Sequence, residues 1–331
     1  MQPEPANRLR HRAGSADGHY ESYFIRANHA TRALAFWIRY TLFSPAGRPH
    51  DAQGELWAIV FDGERTRHVA VKQAWPLSAC RFDAGALAID VPNAQLGHSH
   101  AQGLCEAGGH RIGWDLRFAH GQSPLLLLPA RLYDGAFPKA KSLVSQPLAR
   151  FDGTLKVDGN GLAVQGWVGS QNHNWGRQHT DRYAWGQVAG FDGEHGESFL
   201  ELASAKLKIG PLWTPWITPI VLRHRGREHR LNALSRSLRA RVSVQGFDWR
   251  FRSSGDGLRL QGRIHAERAD FVGLRYANPP GGIKQCLNSK IAHAELVLQH
   301  ADGRQETLSA RQRAAFELLG DDTGHGVPMS C

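Results

Sequence analysis

The segment 166–187 concentrates the side chains of this sequence that could do chemistry. It mixes indole rings with imidazoles, amides and carboxylates, and its polar and aromatic members include His173, Asp181, Asn172, Asn174, Trp175, Tyr183, Trp185 and Gln187. Because each buried polar group needs a partner, such a mixture is a poor way to fill a plain hydrophobic core. Polar groups that converge among aromatic rings are typical of small-molecule pockets. The segment therefore predicts an aromatic-lined ligand site. The alternative is a structural corner whose polar atoms bond to the backbone.

The spacing within this segment predicts how the side chains are presented. His173 and Trp175 lie two residues apart and would share one face of a strand. Tyr183, Trp185 and Gln187 would share one face of the next strand. Together the two faces would make an aromatic wall that carries an imidazole, a phenol and an amide. The expected ligand-binding residues are Asn172, Asn174, Trp175, Tyr183, Trp185 and Gln187.

The order of these residues resembles a known family. His-Asn-Trp-Gly at 173–176, followed by Tyr-Ala-Trp-Gly-Gln at 183–187, is similar to the lipocalin-like superfamily of carotenoid 1,2-hydratases, tocopherol cyclases and AttH-type proteins. The resemblance is specific over 166–187 and agrees in layout over about residues 20–319. It implies an all-β protein made of two lipocalin-like antiparallel β-barrel or sandwich halves with little helix.

The resemblance also implies candidate catalytic residues. In the carotenoid hydratases, a His-x-Trp pair and a downstream Tyr-x-Asp pair are implicated in catalysis. The first pair corresponds to His173 and Trp175. The nearest counterpart of the second is Phe199-x-Glu201, which lacks the phenol and carries a longer acid. This departure weakens the expectation of hydratase activity but leaves an acid in place.

Hydration or cyclisation of an isoprenoid double bond needs a proton donor strong enough to form a carbocation. A carboxylic acid kept protonated by burial could supply that proton, and Glu201 and Asp181 are the candidates. His173 would orient the acid or accept the returning proton. Aromatic faces would stabilise the cation by about 0.5–2 kcal/mol each. The alternation of Leu200, Glu201 and Leu202 equally fits a strand on which Glu201 faces solvent.

A second polar run follows the Pro-Pro-Gly-Gly turn at 279–282. Lys284, Asn288 and Lys290 in this run could bind an anionic head group of the ligand. The alternative is a solvated edge strand, because lysines commonly protect sheet edges from aggregation.

Turn patterns indicate the elements that must position these residues. Aromatic and β-branched runs at 36–43, 56–61 and 67–71 are separated by Pro-Ala-Gly and Asp-Gly turns, which predicts hairpins and an all-β fold. A Pro- and Lys-rich stretch at 135–149 predicts a linker between an N-terminal half at 19–134 and a C-terminal half at 150–320. Residues 1–18 and 321–331 are expected to be flexible tails. The segment 309–319 fits a capped helix or a strand.

Composition limits the partners. The formal charge is +10, but the arginines are scattered along the sequence and no nucleic-acid motif is present, so we expect no nucleic-acid partner. Peripheral membrane contact stays open, as does the oligomeric state. The cysteines form no C-x-x-C pair, and neither metal-ligand spacings nor nucleotide-binding motifs occur, so we expect no metal and no cofactor. Without a signal-peptide pattern or an apolar run of membrane-spanning length, a cytoplasmic protein is expected.

Three functions compete on these grounds. The leading hypothesis is a protein that binds a hydrophobic, isoprenoid or lipid-like molecule at the junction of its halves and acts as a cofactor-free hydratase or cyclase. The alternative is a non-catalytic carrier of such a molecule, of the AttH type. A basic accessory protein on nucleic acid or membrane ranks third, because only its charge supports it.

Overall fold

The computed structural model describes residues 3–119, 121–193 and 197–331, and nearly all of their regular structure is β. Two large antiparallel sheets make up the fold, which confirms the expectation of an all-β protein with two halves. The helices are short, namely α1 (Pro3–Asn7), α2 (Leu234–Arg239) and the 3-10 turns Pro49–Asp51, Leu77–Ala79, Ala130–Leu132 and Arg268–Asp270. None of the helices in these ranges is both long enough and apolar enough to cross a membrane.

The first sheet contains twelve strands. They are β1 (His19–Asn28), β2 (Leu34–Ser44), β3 (Gln53–Asp62), β4 (Arg67–Pro76), β5 (Arg81–Phe82), β6 (Ile89–Val91), β7 (Ala94–Leu96), β8 (His100–Ala107), β9 (His110–Ala119), β10 (Leu125–Leu126), β11 (Ala140–Val157) and β12 (Asn160–Gly176). The spatial order is β4-β3-β2-β1-β12-β11-β9-β8-β7-β6-β5, and β10 pairs with β11. Because β4 also packs against β8 and β9, the sheet curls around its own core.

The second sheet contains ten strands, and a small hairpin lies outside it. The strands of this part are β13 (Arg182–Ala189), β14 (Phe199–Lys206), β15 (Lys208–Ile209), β16 (Leu212–Trp213), β17 (Ile220–His224), β18 (Arg227–Arg230), β19 (Arg241–Gln245), β20 (Asp248–Gly255), β21 (Leu258–His265), β22 (Val272–Ala277), β23 (Ile283–His300) and β24 (Gln305–Gly320). The order is β18-β17-β14-β13-β24-β23-β21-β20-β19, with β22 on β23 and β15 paired to β16. The open segment 309–319 is therefore a strand.

Turn chemistry fixes the long hairpins. Asp158 and Gly159 join β11 to β12, and both have positive φ angles of 49° and 88°. Two consecutive residues with positive φ form the turn whose twist matches that of paired strands, and Asp-Gly is a favoured sequence for it. Asp256 and Gly257 connect β20 to β21 in the same way, with φ angles of 55° and 72°.

The change of sheet falls at residues 177–181, between β12 and β13, rather than in the stretch 135–149. Residues 140–149 belong to β11, which pairs with β12 in the first sheet. The strand tolerates Pro147 because its register with β12 shifts on both sides of this residue. At such bulges the backbone N–H that proline lacks is not needed for a hydrogen bond between the strands. The composition of a bulged strand therefore imitates that of a linker.

Both chain ends also pack more closely than the sequence analysis expects. Ala6 and Asn7 are buried, so the flexible tail expected over 1–18 is wrong for this part of it, while residues 1 and 2 lie outside the described ranges. At the other end, Met329 bridges Gly273, and the carbonyl of Cys331 accepts a hydrogen bond from the backbone N–H of Arg275 at 2.7 Å. The segment 321–331 therefore ends along β22.

The two sheets meet through β1, β2 and β3 of the first half and β22–β24 and β13 of the second. Along these strands the side chains alternate between the inside of one half and the junction. Tyr23 and Ile25 join the core of the first half, whereas Phe24 packs at the junction with Trp37 and Leu319. Because both faces are covered, nearly every residue of β1 and β2 is buried, including polar ones such as Glu21 and Arg26.

Candidate functional site

Strand β12 divides the predicted site in two. His173 lies opposite Tyr23 on β1 and therefore faces the inside of the first half, whereas Asn172 lies opposite Phe24 and faces the junction. Trp175 shares the face of His173, as the spacing predicts. The expectation of one wall that joins His173 to Trp185 is wrong, because successive residues of a strand point to opposite sides of the sheet.

The residues Ala6, Glu21, Tyr23, His173 and Trp175 form a sealed group that we call the His173 cluster. The two ring nitrogens of His173 lie 2.8 Å from the Glu21 carboxylate and 2.8 Å from the Ala6 carbonyl. The ring stacks on Tyr23, with centroids 4.2 Å apart. His173 and Glu21 are both fully buried, so this imidazole has no access to a ligand.

Glu21 is the anionic centre of the His173 cluster. Its oxygens accept hydrogen bonds from the Tyr23 hydroxyl at 2.9 Å, from the His19 ring at 3.0 Å, and from the backbone N–H groups of Arg10 and His11 at 2.8 Å. Burial opposes the charged form, but the hydrogen bonds from His173 and His19 outweigh it and lower the pKa of Glu21. Both ring nitrogens of His173 lie within hydrogen-bond distance of an oxygen, which fixes the orientation of the ring.

The N-terminal segment closes the His173 cluster from outside. The guanidinium of Arg10 lies 4.9 Å from the ring centroid of Trp175. Asn7 donates a hydrogen bond to Gln171 at 2.9 Å and accepts one from Ser145 at 2.6 Å. These contacts support the structural alternative for His173 and Trp175.

The junction of the halves holds a cavity of about 200 Å³, the junction cavity. Its wall is largely apolar, and the rings that line it are Tyr20, Phe24, Trp37, Phe137, His179, Tyr183, Trp185 and Tyr276. Tyr183 and Trp185 are predicted ligand-binding residues, and Asn174 lines the cavity too. A largely apolar cavity with few polar groups is the usual form of a small-molecule site.

Arg39 places a positive charge on the wall of the junction cavity. Its Nη2 donates to the Ser22 hydroxyl at 2.6 Å and its Nε donates to Thr41 at 3.0 Å, which holds the guanidinium 4.5 Å from the ring centroid of Tyr276. Burial opposes its charge, but Tyr276 and the nearby carboxylates raise the pKa of Arg39. Its Nη1 has no hydrogen bond to any residue in the described ranges, which leaves the N–H groups of this nitrogen for a ligand.

Glu317 places a carboxylate on the same wall. It accepts hydrogen bonds from Lys290 at 2.9 Å, from Asn288 at 3.0 Å and from the Tyr183 hydroxyl at 3.2 Å. Lys290 is fully buried, and burial lowers its pKa. The Lys290 ammonium also lies 5.4 Å from the ring centroid of Trp185 and faces Trp37 at 5.7 Å.

Glu201 lies behind Trp185 rather than on the cavity wall. It is 1% exposed, and its oxygens accept hydrogen bonds from the Trp185 indole at 2.8 Å and from Gln187 at 2.8 Å. Burial raises the pKa of Glu201 to about 7. The solvent-facing alternative for Glu201 is therefore wrong, because β14 lies between β13 and β17 and its Phe199 packs against Val144 and Leu148 of the first half.

Gln187 joins the two halves beside Glu201. Its side-chain oxygen accepts hydrogen bonds from Arg26 at 2.6 Å and from Ser170 at 2.7 Å, and its nitrogen also donates to Asn172 at 2.8 Å. Burial lowers the pKa of Arg26 to about 9. Asn172 and Gln187 therefore lie behind the cavity wall, where their hydrogen bonds link the two halves.

His179 is the imidazole that does line the junction cavity. It stacks on Tyr20, with ring centroids 4.1 Å apart, and contacts Tyr276 at 5.5 Å. Burial, together with the positive charge of Arg39, lowers the pKa of His179 to about 3. The ring is therefore neutral near pH 7 and serves as part of the aromatic wall.

The remaining predicted residues lie outside the cavity wall. Asp181 is partly exposed, and its carboxylate accepts a hydrogen bond from the backbone N–H of Lys208 at 2.9 Å. Lys284 pairs with Asp321 at 2.8 Å. Asn288 is buried and supports Glu317.

Arg39, Glu317 and Tyr276 line the junction cavity but are not among the residues that the sequence predicts, whereas Lys290, which pairs with Glu317, is among them as a possible contact of an anionic head group. Arg39 lies in the aromatic run at 36–43, Lys290 and Glu317 lie on the two longest strands of the second sheet, and Tyr276 precedes the Pro-Pro turn. A charged residue inside an otherwise apolar strand was the available signal, because such residues are rarely buried without a partner.

Two curled antiparallel sheets that meet across an aromatic cavity form an all-β, lipocalin-like fold of two halves. Two solved structures share this fold over nearly the whole chain. A candidate AttH from Nitrosomonas europaea is 12% identical, with a TM-score of 0.56 over 97% of this chain and 99% of that one. Kievitone hydratase from Nectria haematococca is 10% identical, with a TM-score of 0.56 over 98% and 99% of the two chains.

No protein-family model matches the sequence, and no curated protein matches it either. At 10–12% identity, the two structures show that the fold is shared and nothing finer. They confirm the fold that the resemblance implies.

Proposed function

We propose that the protein binds a hydrophobic, isoprenoid-like or lipid-like molecule in the junction cavity and adds water to one of its double bonds. One observation carries the proposal: an aromatic cavity whose wall presents the unpaired Arg39 donor and the Glu317 carboxylate. One of the two structural neighbours is a hydratase by name, which agrees with this chemistry.

The charges on the wall favour one route of water addition over another. A carbocation at the indole faces of Trp37 and Trp185 would meet the Lys290 ammonium, which already lies within 5.7 Å of both ring centroids. Like charges at such distances repel strongly where water is excluded. Developing negative charge, in contrast, would be stabilised by Arg39. We therefore place the double bond in conjugation with a carbonyl group of the ligand.

The residues of the wall can carry this addition without a cofactor. Glu317 accepts a proton from water while the water oxygen bonds to the β-carbon, and the π electrons move to the carbonyl oxygen beside Arg39. The carboxyl group of Glu317 then returns the proton to the α-carbon. One water molecule is added in total, and Glu317 returns to its starting state. Tyr183, which donates to Glu317, is a positioning residue in this scheme.

A carrier without turnover is the second candidate. The specific observation in its favour is that both oxygens of Glu317 are already engaged by Lys290, Asn288 and Tyr183. A water molecule that gives its proton to Glu317 would have to displace one of these donors. Ligand binding is common to both candidates, and turnover separates them.

A matched pair of probes tests the route. Trans-chalcone and trans-stilbene have similar aromatic bodies, but only chalcone has a carbonyl group next to its double bond. The proposal expects both to bind and only chalcone to gain one water, with labelled oxygen from the solvent detected by mass spectrometry. Glu317→Gln should abolish this gain while it keeps chalcone binding. Binding of both probes without turnover by the native protein would support the carrier, and turnover of geraniol but not chalcone would contradict the Arg39 route.

A further inference from the structure

The fold gathers arginines that are scattered in the sequence. A surface cleft between α2 and strands β19–β21 is lined by Arg236, Arg239, Arg241, Arg252 and Arg259, together with Ser253 and Ser254. We call it the arginine cleft. No aspartate or glutamate is among the residues that line it, so the cleft is strongly positive.

Most of these arginines have no protein partner. Arg236 pairs with Asp256 at 2.9 Å. In contrast, the side chains of Arg241, Arg252 and Arg259 have neither a hydrogen bond nor an ion pair with any residue that the structure describes. Arg241 also lies directly opposite Arg252 in the β19–β20 ladder. Like charges directly opposite each other destabilise a sheet, so this arrangement is suited to an anion that neutralises both.

Exposed apolar side chains lie next to this charge. On α2, Leu234 and Leu238 are four residues apart and share one side of the helix, and both are exposed. Leu234 lines the junction cavity, whereas Arg236 and Arg239 of the same helix line the arginine cleft. Helix α2 therefore separates the two sites.

Two further segments add apolar side chains around the cavity. The β15–β16 hairpin follows Leu207, which lines the cavity, and it exposes Ile209, Leu212 and Trp213; the exposed fraction of Leu212 reaches 72%. Phe137, which also lines the cavity, is exposed as well. The apolar rim consists of Phe137, Ile209, Leu212, Trp213, Leu234 and Leu238.

We propose that the apolar rim and the arginine cleft dock the protein on an anionic lipid bilayer, with the junction cavity open towards the membrane. Exposed apolar side chains beside a cluster of basic ones match the boundary between acyl chains and anionic head groups. A tryptophan such as Trp213 is favoured at that boundary. A nucleic acid would engage the arginines but would leave the apolar rim in water. The docking also gives a hydrophobic ligand a path to the cavity that avoids water.

Vesicle flotation tests the charge requirement. The native protein should float with vesicles of phosphatidylcholine and phosphatidylglycerol but not with phosphatidylcholine alone. Changing Arg241, Arg252 and Arg259 together to Gln should weaken this partitioning about a hundredfold. The reason is that each basic residue near an anionic surface strengthens membrane binding by a similar factor. A matched control makes the same change at Arg48, Arg65 and Arg311, which are exposed arginines that each lie beside an aspartate. An equal loss in the control would overturn the site, because only net charge would then matter.

The apolar rim is tested separately at constant charge. Leu212→Ser should weaken vesicle partitioning about tenfold. The native protein should show a blue shift of tryptophan emission on these vesicles, and Trp213→Leu should lose most of that shift while it still floats. Absence of flotation by the native protein would overturn the proposal. The proposal would also be overturned if DNA competed fully with vesicles for the protein and Leu212→Ser did not change vesicle partitioning. That result would assign the arginine cleft to a soluble polyanion. Neither readout depends on ligand turnover, so these outcomes are independent of the proposed function.

Discussion

The two faces of β12 carry polar clusters of similar composition that differ in their connections. Glu21 in the His173 cluster accepts hydrogen bonds from five donors, two of which are histidine rings. Glu201, on the junction side, has two neutral donors from side chains. The pKa of Glu21 is lowered and that of Glu201 is raised to about 7, although both are buried. Burial alone therefore does not decide the charge of a carboxyl group; the number and charge of its donors do.

The same comparison separates a structural site from a binding site. Every polar atom of the His173–Glu21 pair is engaged, and the N-terminal segment covers it. The junction cavity instead leaves the Nη1 of Arg39 without a partner in the described residues, beside an aromatic wall. An open donor next to empty space indicates a ligand, whereas a satisfied pair indicates architecture.

The largest expected effect lies in the His173 cluster. Glu21→Gln removes a buried carboxylate that accepts hydrogen bonds from side chains and from backbone N–H groups, and it should lower the free energy of unfolding by about 3–5 kcal/mol. Urea denaturation measures the loss. Glu64→Gln is the control, because its ion pair with Arg32 is exposed and should contribute less than about 1 kcal/mol. A loss at Glu21 no larger than that of the control would remove the structural role of this cluster.

At Glu201 we expect the free energy of unfolding to fall as the pH rises. Its pKa is raised from 4.5 to about 7 by folding, so its stabilising, protonated form is lost as the pH rises through this window. Relative to Glu201→Gln, the native protein should lose about 3 kcal/mol of unfolding free energy between pH 4.5 and pH 8. Paired denaturation curves of the two proteins measure this difference and cancel the titration of His179. A difference that stays constant with pH would contradict the assigned state of Glu201.

At Glu21 we expect the opposite dependence, in which the free energy of unfolding falls as the pH is lowered. Folding lowers the pKa of Glu21 below 4.5, so its contribution is present above pH 4.5 and is lost as the pH falls further. Glu21→Gln should therefore flatten the acid limb of the stability curve, which urea denaturation at pH 3–5 would detect. An unchanged acid limb would show that the Glu21 pairs do not persist in solution.

A smaller effect is expected on the cavity wall, and it concerns binding. Arg39→Met removes the free donor but retains the apolar stem, so chalcone binding should weaken by about tenfold to a hundredfold. Stilbene, which has no carbonyl oxygen, should bind the variant and the native protein alike. Fluorescence titration with both probes measures the two affinities. Equal losses for both would mean that Arg39 acts only on the shape of the cavity.

The smallest effect is expected at Lys284, outside both regions. Its ion pair with Asp321 is partly exposed, so Lys284→Ala should change the free energy of unfolding by at most about 1 kcal/mol and leave probe affinity unchanged. Thermal unfolding with and without chalcone checks both points. A marked loss of chalcone affinity would restore the head-group role that the sequence suggested.

The sequence predicts the strands of this fold better than it predicts the site. Alternation correctly groups His173 with Trp175, and Tyr183 with Trp185 and Gln187, because that pattern is local. It cannot show which side of β12 meets the second half, since that depends on how two sheets pack. Arg39 and Glu317 were missed for the same reason: they meet only where strands from different halves come together. The prediction of a linker at 135–149 was wrong because residues 140–149 form a bulged strand, which tolerates Pro147.

The central claim is that the junction cavity, and not the His173 cluster, holds the ligand. Native mass spectrometry of protein purified from its own host, followed by organic extraction, tests it with two variants. Ala203→Trp fills the cavity, because Ala203 lines its wall beside Trp185, which is its partner in the β13–β14 ladder, whereas Trp175→Phe alters the sealed cluster. We expect a hydrophobic molecule on the native protein and on Trp175→Phe, but none on Ala203→Trp. Retention by Ala203→Trp together with loss from Trp175→Phe would contradict the account.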